Sequence, residues 1–186
     1  MSGLTPLGIV HTAISIVALI AGFYALIRDK EISIENTPGK IYLWATVLTC
    51  ITGFGIFQHG GFGKPHALGV LTLVVLGIGA LPRLFRMEKK WRAFMAATYT
   101  LTLFFHFIPG LTETFTRVPL GGPFFSSPDD PTLANVVGLV FAVFAIGIFF
   151  QIRRLRKLTD AASGSMRPVD RPGRLMPSGN DDRVIE

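Results

Sequence analysis

The residues of this chain best suited to chemistry are its four histidines, His11, His59, His66 and His106. Neutral imidazole is a good ligand for haem iron, zinc and copper. His59 and His66 lie in a glycine-rich stretch, residues 57–66, between two long apolar segments. The chain contains neither a CxxCH haem-attachment motif nor an HExxH zinc motif. Any site therefore depends on how the fold gathers these side chains.

The segments that carry the histidines are typical of membrane spans. Of the 186 residues, 49% are hydrophobic and only 16% are charged. The charges form short clusters between apolar runs of ~20 residues, which is about the length that crosses a bilayer as a helix. We therefore expect an all-α integral membrane protein, with a transmembrane domain at residues 1–157 and a disordered cytoplasmic tail at residues 158–186.

Five spans are predicted from the apolar segments and the residues that interrupt them. Their expected limits are about residues 7–27, 41–57, 66–83, 91–108 and 132–152. Pro82 is expected to stop the third span. Pro109 and Gly110, a strong helix-breaking pair, are expected to stop the fourth.

Basic residues near the spans are concentrated on one side of the predicted membrane. The other side has only Lys64 and Arg117. By the positive-inside rule, the amino terminus is expected outside and the carboxy terminus in the cytoplasm, in a bacterial inner membrane. Orientation also explains the net charge of +6, so no nucleic acid partner is expected. The basic residues on the cytoplasmic side are Arg28, Lys30, Lys40, Arg83, Arg86, Lys89, Lys90, Arg92, Arg153, Arg154, Arg156 and Lys157.

Small and polar residues recur at steps of three and four along the first four spans. Such stripes face neighbouring helices in membrane bundles. We therefore predict an antiparallel four-helix transmembrane bundle, with the nearly all-apolar fifth helix at its periphery and Gly138, Ala142 and Ala145 as its packing line. The four stripes are His11, Ser15, Ala18 and Gly22; Tyr42, Thr46, Thr49, Thr52 and His59; His66, Gly69, Leu73, Gly77 and Ala80; and Tyr99, Thr102 and His106.

Each stripe has its histidine at the outer end, so all four histidines are expected at one membrane face. His11 and His106 form the best embedded pair, and His59 and His66 form a second pair at the rim. Two histidines on facing helices can hold haem b, and nearby glycines can leave a slot for its ring. The candidate glycines are Gly53, Gly55, Gly60, Gly61, Gly69 and Gly77.

Other readings of the same residues stay open. The histidines can hold zinc or copper instead, or they can form hydrogen bonds to neighbouring helices with no cofactor bound. The single cysteine, Cys50, excludes an internal disulfide and a multi-cysteine metal site. No charged residue lies deep in a predicted span, which argues against an ion-coupled transporter. No catalytic residue can be assigned, and whether the protein is an enzyme stays open.

The order of three short segments resembles that of small bacterial membrane proteins of uncharacterised function. These segments are His11-Thr12, Gly39-Lys40-Ile41-Tyr42 and His66-Ala67-Leu68-Gly69. In that family a His-Arg pair often precedes the Gly-basic-aliphatic-Tyr element, where this chain has Glu35-Asn36. The architecture also resembles small b-type membrane cytochromes, which implies that His11, His59, His66 and His106 are axial haem ligands. Histidines on one side only do not provide an electron path across the membrane.

Three functional hypotheses follow. The first is a membrane-embedded redox protein that binds haem b and transfers electrons at the outer face, with quinol or another membrane protein as partner. The second is a non-catalytic membrane subunit that stabilises or assembles a larger complex through the fifth span and the outer loop. The third is a zinc or copper site at the outer face.

Overall fold

The computed structural model describes residues 5–56, 61–117, 122–125 and 127–165. These residues form five α-helices and no strand: α1 Pro6–Asp29, α2 Thr37–Phe54, α3 Lys64–Leu84, α4 Glu88–Arg117 and α5 Pro131–Ser165. The predicted all-α class is confirmed. Four helices, α1, α3, α4 and α5, are long and apolar enough to cross a membrane.

The remaining helix, α2, is short and comparatively polar. It has 18 residues, and it carries a lysine, a tyrosine and four threonines. Tyr42, Thr46 and Thr49 are buried against neighbouring helices. The second predicted span therefore forms a helix, but it is not among the four that are long and apolar enough to cross a membrane.

Four helices, α1, α2, α3 and α5, begin with a proline in their first turn. The missing N–H of proline costs nothing there, because the first N–H groups of a helix have no partner within it. The Thr5 hydroxyl accepts from the Gly8 N–H at 3.1 Å, and the Asn36 side chain accepts from the Gly39 N–H at 3.0 Å. These caps fix where α1 and α2 begin.

Prolines inside two helices do not end them. Leu84 ends α3, two residues beyond Pro82, close to the predicted limit. The predicted stop at Pro109 is wrong, since α4 continues to Arg117. A proline removes one backbone hydrogen bond and can kink a helix, but neighbouring groups can compensate when the helix is packed.

Helices α1 to α4 pack as a closed ring, and α5 lies outside it. Contacts join α1 to α2, α2 to α3, α3 to α4 and α4 to α1, and α5 packs against α4. His11 in the first turns of α1 meets Thr52 near the end of α2, whereas Gly22 lies against Tyr42 near its start. The chain therefore reverses direction between α1 and α2.

The predicted interior faces of α1, α2 and α4 are confirmed for their described residues, and that of α5 is wrong. The face of α3 is confirmed in part, since His66 is buried and Gly69, Leu73 and Ala80 are half-buried. In α3 the buried side follows Thr72, Leu76 and Gly79, whereas Gly77 is exposed. In α5 the predicted small-residue line is exposed, and larger residues face α4 instead. Small size suits a helix contact, but neighbouring helices decide which side is covered. The buried or half-buried α5 residues include Leu133, Val140, Phe144, Gln151 and Leu155.

The α1–α2 connection covers one end of the ring. Lys30 ends α1 in the left-handed region with φ of 62°, which turns the chain inward. Ile32 and Ile34 are then buried, as is Glu31, which pairs with Arg92 of α4. This connection therefore ties together helices that are distant in sequence.

Helix α5 extends beyond the predicted fifth span. It begins at Pro131, as expected, and continues to Ser165. The first part of the predicted tail, residues 158–165, is thus helical. Residues 166–186 lie outside the described residues.

Candidate functional site

A buried polar network lies between α1, α2 and α4. The Tyr42 hydroxyl is 2.7 Å from the Thr102 hydroxyl and donates to the Tyr99 carbonyl at 3.3 Å. Tyr42, Thr46 and Thr102 are all fully buried. In an apolar interior such groups are costly unless they are paired, so each contact helps to fix the rotation of its helix.

His106 is the centre of this network. Its Nε2 atom is 3.1 Å from the Thr46 hydroxyl of α2, and its Nδ1 atom is 3.5 Å from the Ser15 hydroxyl of α1. The Tyr42 ring meets the imidazole edge to face, with ring centroids 6.3 Å apart. His106 is 6% exposed. Both ring nitrogens are thus engaged by hydroxyl groups of other helices.

His11 lies one helical turn before Ser15 on the same helix. Its Nδ1 atom is 3.0 Å from the Thr52 hydroxyl. A Cβ atom at Gly53 would approach the His11 ring to 3.2 Å, so the absence of a side chain there makes room for the imidazole. The predicted pair of His11 and His106 is thus brought to one part of the bundle, joined through α1.

His66 has a local structural role at the start of α3. Its Nδ1 atom accepts the Gly63 N–H at 3.2 Å, and its ring lies 5.3 Å from that of Phe62. This contact caps the helix, a role that the sequence analysis did not assign to it. The signal was present, since His66 is the third residue of a helix that opens with Lys64-Pro65.

The predicted fourth ligand, His59, lies outside the described residues. Among the residues that the structure does describe, no group of three or more His, Cys, Asp or Glu side chains could hold a metal ion. The three described histidines are therefore not gathered into one such group.

Of the six glycines predicted to leave a haem slot, Gly60 lies outside the described residues, and three of the other five are contacted by protein side chains. A Cβ atom at Gly55 would approach Leu7 to 2.9 Å, and one at Gly69 would approach the Phe54 ring to 2.9 Å. Gly53 accommodates the His11 ring, as described above. Gly61 and Gly77 have open space around them, but both are exposed. Since both nitrogens of His106 are also engaged, these residues do not fit a haem ring in this arrangement.

One polar contact of α5 was missed in the sequence analysis. Gln151 is buried; it accepts from the Thr100 hydroxyl at 3.1 Å and donates to the Lys30 carbonyl at 3.0 Å. A single glutamine near the end of an otherwise apolar segment is the signal that could have found it. Gln151 links α5 to both α4 and the α1–α2 connection.

Comparisons with family models, curated proteins and solved structures found no match to this chain.

Proposed function

We propose that this chain is an integral membrane protein that serves as a non-catalytic subunit of a larger membrane complex. In this proposal α1–α4 form an antiparallel transmembrane bundle and α5 is a peripheral fifth transmembrane helix. The protein lies in a bacterial inner membrane with its amino terminus outside and its carboxy terminus in the cytoplasm, as the basic residues predict.

The observation that carries the proposal is the pairing of His106. An imidazole that ligates a metal needs one free ring nitrogen, and here the hydroxyls of Ser15 and Thr46 engage both. The interior hydrogen bonds therefore serve to join helices. This use of polar side chains is the one expected of a structural membrane bundle.

The surface of α5 supports a subunit role. In the most apolar 18-residue stretch of α5, 6% is buried within the chain, whereas 50% of the corresponding stretch of α4 is buried. Phe141, Phe149 and Phe150 are among its exposed side chains. A helix with so much free apolar surface can pack on a partner helix within the bilayer.

The test is purification of the tagged full-length protein from its native membrane in a mild detergent. We expect a defined assembly larger than one chain. Tryptophan at exposed α5 positions, L139W with V143W, should dissociate it. The matched variant on α1, I20W with I27W, changes residues of similar exposure and should leave the assembly intact. A lone, monodisperse species from wild-type membranes would contradict the subunit role.

A second candidate is the haem b redox protein, with quinol or another membrane protein as electron partner. It is supported by His11, whose Nδ1 atom lies 3.0 Å from the Thr52 hydroxyl. This contact orients the ring, and hydrogen bonds to the second ring nitrogen orient metal-bound histidines in the same way. His106 would first have to release one of its hydroxyl partners.

An absorption spectrum and a metal analysis of the purified protein test this second candidate and the zinc or copper alternative together. A Soret band lost in both H11A and H106A would establish haem binding. Stoichiometric zinc or copper lost with the histidines would establish a metal site. If neither a pigment nor a metal co-purifies, both candidates are wrong.

A further inference from the structure

The carboxy-terminal part of α5 carries a groove that is both apolar and basic. Its volume is about 480 Å³, and its lining residues are Phe150, Arg153, Arg154, Lys157 and Leu158. Phe150 and Leu158 are 62% and 46% exposed, so the apolar part is open to the surroundings. This composition matches a ligand with an anionic end and an apolar end.

Two contacts show where the groove lies relative to the other helices. Gln151 donates to the Lys30 carbonyl at 3.0 Å, and Arg154 donates to the Asp29 carbonyl at 3.4 Å. Since α1 ends at Asp29, the basic residues of the groove are level with the end of the first span. Under the proposed topology this is the level of the phosphate groups of the cytoplasmic leaflet.

The positive charges of the groove have no carboxylate partner in the described part of the chain. None of the ion pairs there includes Arg153, Arg154 or Lys157. The Arg153 guanidinium lies 5.6 Å from the centre of the Phe149 ring, and Arg154 contacts a backbone carbonyl. These contacts orient the two guanidinium groups and leave their charge without a carboxylate among the described residues.

We propose that this groove binds an anionic phospholipid of the cytoplasmic leaflet. The headgroup phosphate would contact Arg153, Arg154 and Lys157, and an acyl chain would lie along Phe150. Guanidinium groups suit phosphate because they can donate two parallel hydrogen bonds to it. Basic clusters at the cytoplasmic end of a span attract anionic headgroups. The inference rests on the proposed membrane insertion and requires no partner protein.

The test is lipid binding to the purified full-length protein in detergent, measured by native mass spectrometry with phosphatidylglycerol or phosphatidylcholine. We expect wild-type protein to prefer phosphatidylglycerol by about tenfold. Each basic residue that contacts the bound headgroup is expected to strengthen binding about fivefold, so R153Q with K157Q should weaken phosphatidylglycerol binding roughly 10- to 25-fold. This double variant keeps the contact of Arg154 with the α1–α2 connection.

The matched control is K89Q with K90Q, which removes the same charge from exposed positions at the start of α4. We expect it to change lipid affinity less than twofold. Equal losses in the two double variants, or no preference of the wild type for the anionic lipid, would overturn the proposal. Should R153Q with K157Q lose its helical signal, K157Q alone gives the same test with a loss of about fivefold. Failure of the subunit role would appear in co-purification and would leave this assay unaffected.

Discussion

At the scale of single residues, the interior of the bundle is held by polar side chains that bond across helices. Thr46 and Ser15 contact His106 from two different helices, and Tyr42 contacts Thr102. Such bonds contribute about 0.6 kcal/mol on average in membrane proteins, up to about 1.7 kcal/mol. Their main effect is to select one rotation for each helix, because any other rotation leaves buried groups unpaired.

T46V tests the pairing of His106. We expect it to lower the free energy of unfolding by about 1 kcal/mol, because the imidazole Nε2 loses its hydroxyl partner inside the bundle. The measurement is unfolding in detergent. T72V is the matched control, since the buried Thr72 hydroxyl donates to the Leu68 carbonyl of its own helix. A loss as large in T72V would show that His106 pairing is not the cause.

The ion pairs of Glu31 and Glu35 are expected to differ in strength. Both carboxylates lie on the α1–α2 connection, but Glu31 is 4% exposed, whereas Glu35 and its partner Arg83 are exposed at the surface. E31Q should destabilise the protein by about 1–2 kcal/mol, since the half-exposed Arg92 keeps some hydration. E35Q should cost less than about 0.5 kcal/mol. Equal effects in the same unfolding assay would contradict the structure.

At the scale of elements, the α1–α2 connection is the piece that joins the helix ends. It contacts α4 through Glu31, α3 through Glu35 and α5 through the Lys30 carbonyl, next to the contact that the Asp29 carbonyl at the end of α1 makes with Arg154. The first turn of α2 packs directly on this connection. Its geometry therefore fixes how the helices meet at the basic end of the bundle.

Gly39 is essential to this packing. A Cβ atom there would lie 1.8 Å from the Ser33 carbonyl oxygen, which is backbone and cannot rotate away. G39A should therefore destabilise the protein by more than about 2 kcal/mol, despite the higher helix propensity of alanine. G77A is the control: Gly77 has open space, so alanine there should be neutral or stabilising by up to about 1 kcal/mol. Thermal unfolding of the two variants compares them directly.

Gln151 should decide whether α5 stays attached to the connection. Q151L keeps a similar size but removes the bonds to Thr100 and to the Lys30 carbonyl. We expect a loss of about 1–2 kcal/mol and faster proteolysis of the α1–α2 connection. F150L, at an exposed neighbouring position, should behave like the wild type. Unchanged proteolysis in Q151L would mean that other contacts hold α5 in place.

At the scale of the whole molecule, basic residues are concentrated at one end of α3. An aromatic side chain lies next to each end of this helix: Phe62 is 72% exposed and Phe85 is 69% exposed, and the basic residues are at the Phe85 end. If the proposed topology is right, these two positions lie on opposite sides of the bilayer.

Thiol labelling tests this orientation. In a C50A background, an impermeant thiol reagent should label F62C in intact cells and F85C only after permeabilisation. Labelling in the reverse order would invert the proposed topology. Labelling of both positions from outside would show that α3 does not cross the membrane.

The sequence alone determined the helical class and the inward faces of three helices. These features follow from local rules: the 3.6-residue period of a helix places His11, Ser15, Ala18 and Gly22 on one side whatever surrounds them. The same rules placed His11 and His106 toward one end of the bundle, and the contact of Ser15, one turn after His11, with His106 agrees with this. They wrongly placed His106 at the end of its helix, because α4 continues to Arg117.

Only the tertiary structure decided which partner each polar side chain has. The hydroxyls of Ser15 and Thr46 meet His106 because α1 and α2 pack beside α4, and no local pattern specifies that choice. Tertiary packing likewise allows α4 to continue through Pro109 and sets the rotation of α3. Gly77 fits the helical period but faces outward, because the contact with Tyr99 and Thr98 is made at Gly79. The physical reason is that helical period is a property of one segment, whereas burial and pairing depend on the other helices.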